Sequence, residues 1–292
     1  MSYRRHQLLD DDRERLHGSV VVASTSGGKD SAALSLWLTE RGIEHRRVFA
    51  DTGWEHPATY DYLRGPLTRA LGRIDEVHGR LPMPELIRSR KMFPSRLRRF
   101  CTQELKLRPI ARYVRALDVD VVNAVGVRAA ESASRAGMPR WDSLPEMGDA
   151  DVWRPLIDWT LDDVVEIHRH HGLAPNPLYL EGAERVGCWP CIFARKKEIA
   201  LVASLTPARI DEIRALELEL GDGAEARSAD DGRPRNRPTF FHPKGHDPSR
   251  NDFVPIDEVV AWARTARGGR QLLLLDDEPA GCVRWGLCEA AS

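Results

Sequence analysis

The clearest chemistry in the sequence lies in a glycine-containing loop near its start. The loop consists of Ser26, Gly27, Gly28, Lys29, Asp30 and Ser31. It follows a β-branched stretch at 19–23, which predicts a buried strand, and it precedes a run of helix formers at 32–38. Backbone N–H groups, a helix N-terminus and the Lys29 ammonium would then surround one point, an arrangement that binds phosphate. A tight turn that is merely rich in glycine is the alternative, which the Lys-Asp-Ser continuation makes less favoured.

The cysteines form a second candidate site. The chain has five, an odd number that argues against a disulfide framework and leaves metal ligation, catalysis or burial. Cys188 and Cys191 are separated by two residues, and the neighbouring glycine and proline let the chain turn so that both thiolates face one atom. Two buried thiols in a turn are the alternative. Thiolate ligands by themselves do not distinguish zinc from an iron–sulfur cluster.

A strongly basic segment runs from Arg88 to Arg115. Its 28 residues include ten basic side chains and one acidic side chain, Glu104, which gives a local charge of about +9. The whole chain has 43 Lys plus Arg against 44 Asp plus Glu, so its net charge is -1. The segment predicts a groove for a polyanion such as RNA, DNA or a bisphosphorylated nucleotide. A solvated face is the alternative, since Arg outnumbers Lys 37 to 6 in the chain.

The composition excludes several classes of protein. An apolar content of 42% over 292 residues allows a sizeable buried core and argues against a disordered chain. No apolar run approaches the roughly 20 residues of a membrane span, and the first 17 residues lack the apolar centre of a signal peptide. We therefore expect a cytoplasmic protein with no membrane partner.

Strands and helices alternate around the loop. Strands are predicted at 19–23, 47–50, 73–77 and 120–125, with helices following the first two. This order predicts an α/β fold with an open, mostly parallel sheet and helices on both faces, whose ligands bind beyond the carboxyl ends of the strands. The loop would lie at that edge.

Two domains are expected, a nucleotide-binding α/β domain at 1–150 and a cysteine-containing helical module at 151–292. In the second, the patterns predict helices at 161–171, 206–220 and 254–267, and a polar insertion at 221–237. His168, His170 and His171 fall at the end of the first of these helices, where polar or cationic side chains favour the helix dipole.

The loop resembles the pyrophosphate-binding loop Ser-Gly-Gly-x-Asp-Ser of the adenine nucleotide α-hydrolase superfamily, the PP-loop ATP pyrophosphatases. It lacks the Gly-x-x-x-x-Gly-Lys-Ser/Thr spacing of kinases and GTPases. Later segments resemble the branch that contains phosphoadenosine phosphosulfate reductases and the ATP pyrophosphatase of DNA phosphorothioation. These segments are residues 49–53, Cys101-Thr102 with Leu105-Lys106 and Pro109, Gly126-Val127-Arg128 with Glu131-Ser132 and Arg135, and residues 187–191. The resemblance covers about residues 18–200 and implies a Rossmann-like fold.

The resemblance also implies roles for individual residues. The loop would hold the phosphates of an adenine nucleotide, Asp51 and Gly126 would complete the nucleotide site, and Arg128 would clamp a phosphate. Lys29 matches the ATP-cleaving members, which bind ATP with Mg²⁺, transfer AMP to a substrate oxygen and release pyrophosphate. The expected catalytic residues are therefore Lys29, Asp30 and Arg128, with Asp30 orienting Mg²⁺.

Sulfonucleotide reduction is the alternative activity. Reductases of that kind usually lack the loop lysine and end in Glu-Cys-Gly-Leu-His, whereas this chain has Gly286-Leu287-Cys288-Glu289. A third hypothesis is a non-catalytic protein that binds nucleotide or nucleic acid. The leading expectation is an ATP-dependent adenylating enzyme in sulfur transfer or nucleic-acid modification.

Iron–sulfur members of the branch hold a four-iron four-sulfur cluster with two upstream and two downstream cysteines. By that resemblance Cys101, Cys188 and Cys191 would be ligands, with Cys288 as the fourth and Cys282 as its alternative. Thr102 replaces the second upstream cysteine, and zinc is the alternative metal. The expected partners are an adenine nucleotide, tRNA or DNA along the basic segment, and a sulfur donor protein.

Overall fold

A six-stranded sheet forms the centre of the fold. The computed structural model describes residues 2–145, 150–233, 235–241, 254–265 and 285. Its strands are β1 (Val20–Ser24), β2 (His45–Asp51), β3 (Ile74–His78), β4 (Val121–Val125), β5 (Trp141–Ser143) and β6 (Asp151–Trp153). They lie in the order β3-β2-β1-β4-β6-β5, and all neighbours are parallel except β5, which is antiparallel to β6. The predicted open, mostly parallel sheet is confirmed.

Helices alternate with the strands. They are α1 (Asp10–Leu16), α2 (Lys29–Glu40), α3 (Pro57–Tyr62), α4 (Thr68–Leu71), α5 (Met83–Arg90), α6 (Phe100–Thr102), α7 (Arg108–Arg115), α8 (Ala133–Ala136), α9 (Leu161–His170), α10 (Lys196–Leu205), α11 (Pro207–Asp231) and α12 (Ile256–Ala263). A π-helical turn that contains Pro66 joins α3 to α4, because proline cannot donate the regular helical hydrogen bond. None of the described helices is both long and apolar enough to cross a bilayer.

Apolar side chains cover both faces of the sheet. On one face, Val21 and Phe49 pack in a cluster with Trp37 of α2. On the other face, Val22 packs in a cluster with Val114 of α7. Because successive side chains of a strand point to opposite faces, β1 is covered on both sides. The prediction of helices on both faces is confirmed.

The chain divides into two compact units, each built from separated segments. The sheet unit comprises Met1–Arg80, Gln103–Gly187 and Pro279–Ser292 and contains all six strands. The helical unit comprises Leu81–Thr102 and Cys188–Glu278. The sequence places a single boundary at 150/151, whereas the two units alternate along the chain.

Helix α11 corrects one expectation. The sequence predicts a polar insertion at 221–237, but α11 continues through most of this range. Its apolar stripe extends from Leu220 to Ala224, and both side chains are buried. Gly221 lies between these two residues. A Cβ at this position would lie 2.6 Å from the Arg237 side chain, so glycine allows the close approach. The helix ends at Gly232, whose φ of 70° is the left-handed conformation that favours glycine.

Candidate functional site

Ser31 closes the glycine loop onto the first turn of α2. Its hydroxyl accepts a hydrogen bond from the N–H of Ser26 (3.1 Å) and donates one to the carbonyl of Gly28 (3.0 Å). The N–H of Gly28 in turn donates to the Ser26 hydroxyl at 3.4 Å. The loop therefore wraps the N-terminus of α2, where backbone N–H groups carry partial positive charge and attract anions.

Two glycines permit close backbone approach at this edge of the sheet. Gly27 has a φ of 72°, and a Cβ there would lie 2.9 Å from the Thr59 side chain. Gly126 follows β4, and a Cβ there would lie 2.6 Å from the carbonyl oxygen of Asp30. Because β1 and β4 are parallel neighbours, the loops that follow them meet at one edge. The structure thus brings Gly126 against the loop, as the sequence predicts.

Lys29 is the first residue of α2, and its side chain is largely buried. The ammonium donates a hydrogen bond to the carbonyl of Glu184 (3.1 Å) and lies 4.6 Å from the centre of the Tyr179 ring. Burial is the largest influence on the pKa of Lys29 and lowers it below the ordinary lysine value, although the Asp30 carboxylate opposes the shift. A buried cation at a helix N-terminus is a favourable site for phosphate oxygen.

Arg128 and Lys29 share the carboxylate of Asp30. The Nε of Arg128 donates a hydrogen bond to Oδ1, and the ammonium of Lys29 lies 3.7 Å from Oδ2. Arg128 is itself buried, and its N–H donates to the carboxylate of Glu131 at 3.2 Å. The three predicted catalytic residues therefore lie together. Both oxygens of Asp30 face cations, and each retains a second lone pair.

Asp51 ends β2, the parallel neighbour of β1 on its other side. Its carboxylate accepts hydrogen bonds from the N–H of Gly53 (2.8 Å) and the hydroxyl of Tyr60 (2.7 Å). Burial, followed by this hydrogen bond, raises the pKa of Tyr60. Ligand atoms of Asp51, Glu76 and His78 lie within 4.8 Å of one another, but Arg64 holds both oxygens of Glu76 at 3.0 Å. The structure places Asp51 at the predicted edge of the sheet.

Two buried residues that the sequence analysis did not identify form hydrogen bonds with the glycine loop. Tyr179 is buried, and its hydroxyl accepts a hydrogen bond from the N–H of Lys29 at 3.1 Å. The amide of Asn176, also buried, donates to the carbonyl of Gly27 and to the Thr59 hydroxyl, both at 3.3 Å. Their only signal in the sequence is a polar pair within a proline-rich stretch. The contacts form across about 150 positions of sequence and could not be predicted from local pattern.

Three of the predicted cysteine ligands are described, all in the helical unit. The side chains of Cys101, Cys188 and Cys191 are neither fully buried nor fully exposed. Cys288 and its alternative Cys282 lie outside the described residues. Partly exposed cysteines can serve as thiolate ligands of a metal group.

The basic segment is divided between the two units. In the helical unit, Arg96, Arg98 and Arg99 are exposed, and the guanidinium groups of Arg96 and Arg99 lie 5.8 and 5.1 Å from the centre of the Phe193 ring. The side chain of Leu97, which lies between Arg96 and Arg98 in the sequence, is 96% exposed. Other members are already paired, since Arg88 contacts Glu219, Arg108 contacts Glu104, and Arg112 donates to the carbonyl of His78. Only part of the segment therefore presents uncompensated charge.

The chain is similar to several known proteins. The chain is 33% identical to a protein of Escherichia phage 186, described as an uncharacterized 37.8 kDa protein in the gpa 5′ region, over 96% of this chain and 99% of that one. It is 28% identical to adenosine 5′-phosphosulfate reductase of Mesorhizobium japonicum, over 63% of this chain and 71% of that one. A solved phosphoadenylyl-sulfate reductase from Candida auris gives a TM-score of 0.47 at 18% identity, over 60% of this chain and 84% of that one.

A family model also matches this chain. The model of the phosphoadenosine phosphosulfate reductase domain matches residues 20–194, which is more than half of the chain. The matched range includes the glycine loop, Asp51, Arg128 and the Cys188–Cys191 pair. The chain therefore belongs to the phosphoadenosine phosphosulfate reductase domain family, within the adenine nucleotide α-hydrolase-like superfamily.

Proposed function

We propose that this chain is an ATP-dependent adenylating enzyme that releases pyrophosphate. The observation that carries the proposal is the pair of buried cations, Lys29 and Arg128, which share the single carboxylate of Asp30 at the N-terminus of α2. These three side chains carry a net charge of +1, which the Glu131 carboxylate offsets only in part, and burial makes such a charge costly. A polyphosphate bound at the loop would supply the missing negative charge.

In the proposed reaction, an oxygen of the acceptor attacks the α-phosphorus of ATP. A bond forms between that oxygen and phosphorus, and the bond from the α-phosphorus to its bridging oxygen breaks, so pyrophosphate leaves with the electron pair. Lys29 and the N–H groups of the loop stabilise the charge that grows on the leaving group. Mg²⁺ bound with ATP would neutralise further phosphate charge, and Asp30 is the loop carboxylate available to orient it. A sulfur nucleophile then displaces AMP from the acceptor.

We assign the cysteines to a metal group. Cys101, Cys188 and Cys191 are partly exposed and would supply thiolate ligands, and the fourth ligand would be Cys288 or Cys282. A four-iron four-sulfur cluster is the form we propose, with zinc as the alternative. When bound, such a cluster supplies electron transfer or an additional coordination site.

The acceptor that we favour is a nucleic acid. The loop at 96–99 carries three exposed arginines and a leucine that is 96% exposed. Cations attract the phosphate backbone, and an exposed apolar side chain between them can contact a base.

Sulfonucleotide reduction is the second candidate. The match to the reductase domain and the similarity to adenosine 5′-phosphosulfate reductase of Mesorhizobium japonicum favour it. In that activity a reductant and a thiol would release sulfite from adenosine 5′-phosphosulfate or its 3′-phosphorylated form. The glycine loop would then hold the phosphosulfate in place of the ATP polyphosphate.

One experiment separates the two activities. Protein purified anaerobically is incubated with Mg²⁺ and ATP, with tRNA or DNA fragments and a persulfide donor, and pyrophosphate is measured. A parallel reaction contains adenosine 5′-phosphosulfate or its 3′-phosphorylated form with a dithiol, and sulfite is measured. We expect pyrophosphate without sulfite. Sulfite without pyrophosphate would establish the reductase, and nucleotide binding with neither product would identify a non-catalytic binding protein.

A further inference from the structure

Two histidines and a glutamate meet where two helices of the sheet unit end. Glu40 is the last residue of α2, and His170 is the last residue of α9, followed directly by His171. Helix α2 has twelve residues and runs from Lys29 in the glycine loop to Glu40. At a rise of 1.5 Å per residue, Glu40 lies about 17 Å from the loop. We propose that Glu40, His170 and His171 bind a divalent cation of the zinc type, independently of the proposed function.

The ligand atoms already have nearly the spacing of a tetrahedral site. Nε2 of His171 lies 2.9 Å from Oε1 of Glu40, and Nε2 of His170 lies 3.7 Å from the same oxygen. One ligand atom from each of the three residues lies within 4.8 Å of the other two. Ligands bound at 2.0–2.1 Å to a tetrahedral zinc ion are about 3.4 Å apart. The observed distances lie on both sides of this value, so small side-chain rotations suffice for ligation.

A buried hydroxyl orients the carboxylate of this cluster. Tyr3 is fully buried, and its hydroxyl donates a hydrogen bond to Oε1 of Glu40 at 2.9 Å. Carboxylates that bind metals are commonly fixed by outer hydrogen bonds of this kind. The second oxygen, Oε2, is 4.0 Å from the guanidinium of Arg41, which is itself held by a hydrogen bond to the carbonyl of His6 at 3.0 Å. The carboxylate therefore stays available to an incoming ion.

The electrostatic surroundings favour a cation. The carbonyl ends of α2 and α9 meet here, and both carry the partial negative charge of a helix C-terminus. The side chains of Glu40, His170 and His171 are 16%, 33% and 28% exposed, so solvent reaches the cluster. Two arginines oppose a cation here, because Arg41 lies 4.0 Å from Oε2 of Glu40, and Arg4 faces Glu40 and lies 3.5 Å from Nε2 of His170; the exposed Arg4 side chain must move aside when an ion binds. Two imidazoles and one carboxylate leave a fourth position for water, as in open zinc sites.

The proposal is tested by zinc binding to the purified full-length chain. Zinc is titrated calorimetrically into wild type, Glu40→Gln and His171→Ala, and retained zinc is counted after gel filtration. Because cysteines also bind zinc, the readout is the difference between wild type and variant. We expect each variant to lose about one zinc ion, or to bind that ion at least tenfold more weakly. His17→Ala, which removes an exposed histidine elsewhere, is the control and should match wild type.

Two further measurements separate loss of a ligand from loss of the fold. Gln at position 40 keeps an oxygen that can accept the Tyr3 hydrogen bond, and circular dichroism checks that the variant is folded. In the wild type, the imidazole NMR signals of His170 and His171 should shift on addition of zinc. Equal zinc binding by wild type and a folded Glu40→Gln variant, or unshifted histidine signals, would overturn the proposal. Pyrophosphate release tests the proposed function separately, since it does not depend on this cluster.

Discussion

Arg128 and Asp30 form a buried ion pair between two loops at the carboxyl edge of the sheet. The Nε of Arg128 donates to Oδ1 of Asp30 across 98 positions of sequence, and the side chains are 6% and 15% exposed. Lys29 approaches Oδ2 of the same carboxylate. One acid thus holds two cations at the place where the family resemblance expects phosphate.

The first prediction concerns this shared carboxylate. Asp30→Asn leaves two buried cations facing each other, whereas Arg128→Gln leaves Asp30 still paired with Lys29. Since removing one partner of a buried pair is strongly destabilising, we expect Asp30→Asn to cost about 3 kcal/mol of unfolding free energy and Arg128→Gln clearly less. Pyrophosphate should stabilise Asp30→Asn more than wild type, because it replaces the lost negative charge. Thermal unfolding with and without pyrophosphate measures both effects, and equal losses in the two variants would contradict the assignment.

The second prediction concerns the protonation of Lys29. Burial lowers the pKa of Lys29. As the pH rises, the Lys29 ammonium therefore loses its charge at a lower pH than a lysine with the ordinary pKa of 10.5. The value of kcat/KM for ATP should therefore decline on the alkaline side before that pH. Lys29→Arg keeps its charge to higher pH and should move the decline upward, while Lys29→Ala should abolish pyrophosphate release. An alkaline limb that is the same in wild type and Lys29→Arg would assign the decline to another group.

The third prediction uses a matched pair of glycines. In Gly126→Ala the new Cβ would lie 2.6 Å from the carbonyl oxygen of Asp30, so the first turn of α2 must shift. We expect a loss of about 1–3 kcal/mol of unfolding free energy and weaker ATP binding. Gly137→Ala is the control, since its Cβ meets nothing within 4 Å and its φ is -91°. ATP binding by calorimetry and thermal unfolding should separate the two variants, and equal effects would place the site elsewhere.

These residues also explain which parts of the fold could be predicted. Strands β1 to β4 and the glycine loop follow from local pattern, because apolar runs and glycines determine them over a few residues, whereas the pattern does not predict the three-residue strands β5 and β6. Tyr179 and Asn176 could not be found in this way, since they act on the loop from about 150 positions away. Asp12 is another example. Asp12 belongs to a polar segment of the sequence, which predicts an exposed side chain. It is instead fully buried and accepts hydrogen bonds from the indoles of Trp141 and Trp153.

The helical unit illustrates a second limit. The sequence predicts that the helix beginning at residue 206 ends at residue 220, because residues 221–237 are polar and contain three glycines. In the part beyond residue 220, Gly221 and Ala224 are buried, and the guanidinium of Arg237 contacts the carboxylates of Asp222 and Glu225. Tertiary contacts thus support a segment whose own composition favours a loop.

The fourth prediction concerns the cysteines. Protein purified anaerobically should be brown and contain about four irons per chain. Single Ser replacements at Cys101, Cys188 and Cys191 should each lower the iron content, because each removes one thiolate ligand. Of the two remaining thiols, Cys288→Ser should lower iron content and Cys282→Ser should not. Metal analysis and the visible absorption spectrum measure this, and stoichiometric zinc without iron would favour the alternative metal.

The fifth prediction concerns nucleic-acid binding by the arginine loop. Binding of tRNA or DNA should weaken steeply as salt rises, with a slope of about -0.7 to -0.9 per phosphate contacted. Reversing Arg96, Arg98 and Arg99 to Glu should remove about three phosphate contacts, which lowers the affinity and makes the slope shallower by about 2 to 3 units. ATP binding should be unchanged, since the triphosphate is assigned to the glycine loop. Fluorescence anisotropy at several salt concentrations provides both quantities.

A second charge-reversed triple variant tests whether position matters or only net charge. Arg13, Arg69 and Arg233 are exposed arginines outside the basic segment, and their reversal to Glu changes the total charge by the same amount. If the 96–99 loop is the contact surface, this control should retain most of the affinity and the wild-type slope. Iron content must be measured in both variants, because the loop precedes Cys101. Equal weakening by the two variants would indicate a general charge effect, and absence of wild-type binding even at low salt would point to a small-molecule acceptor.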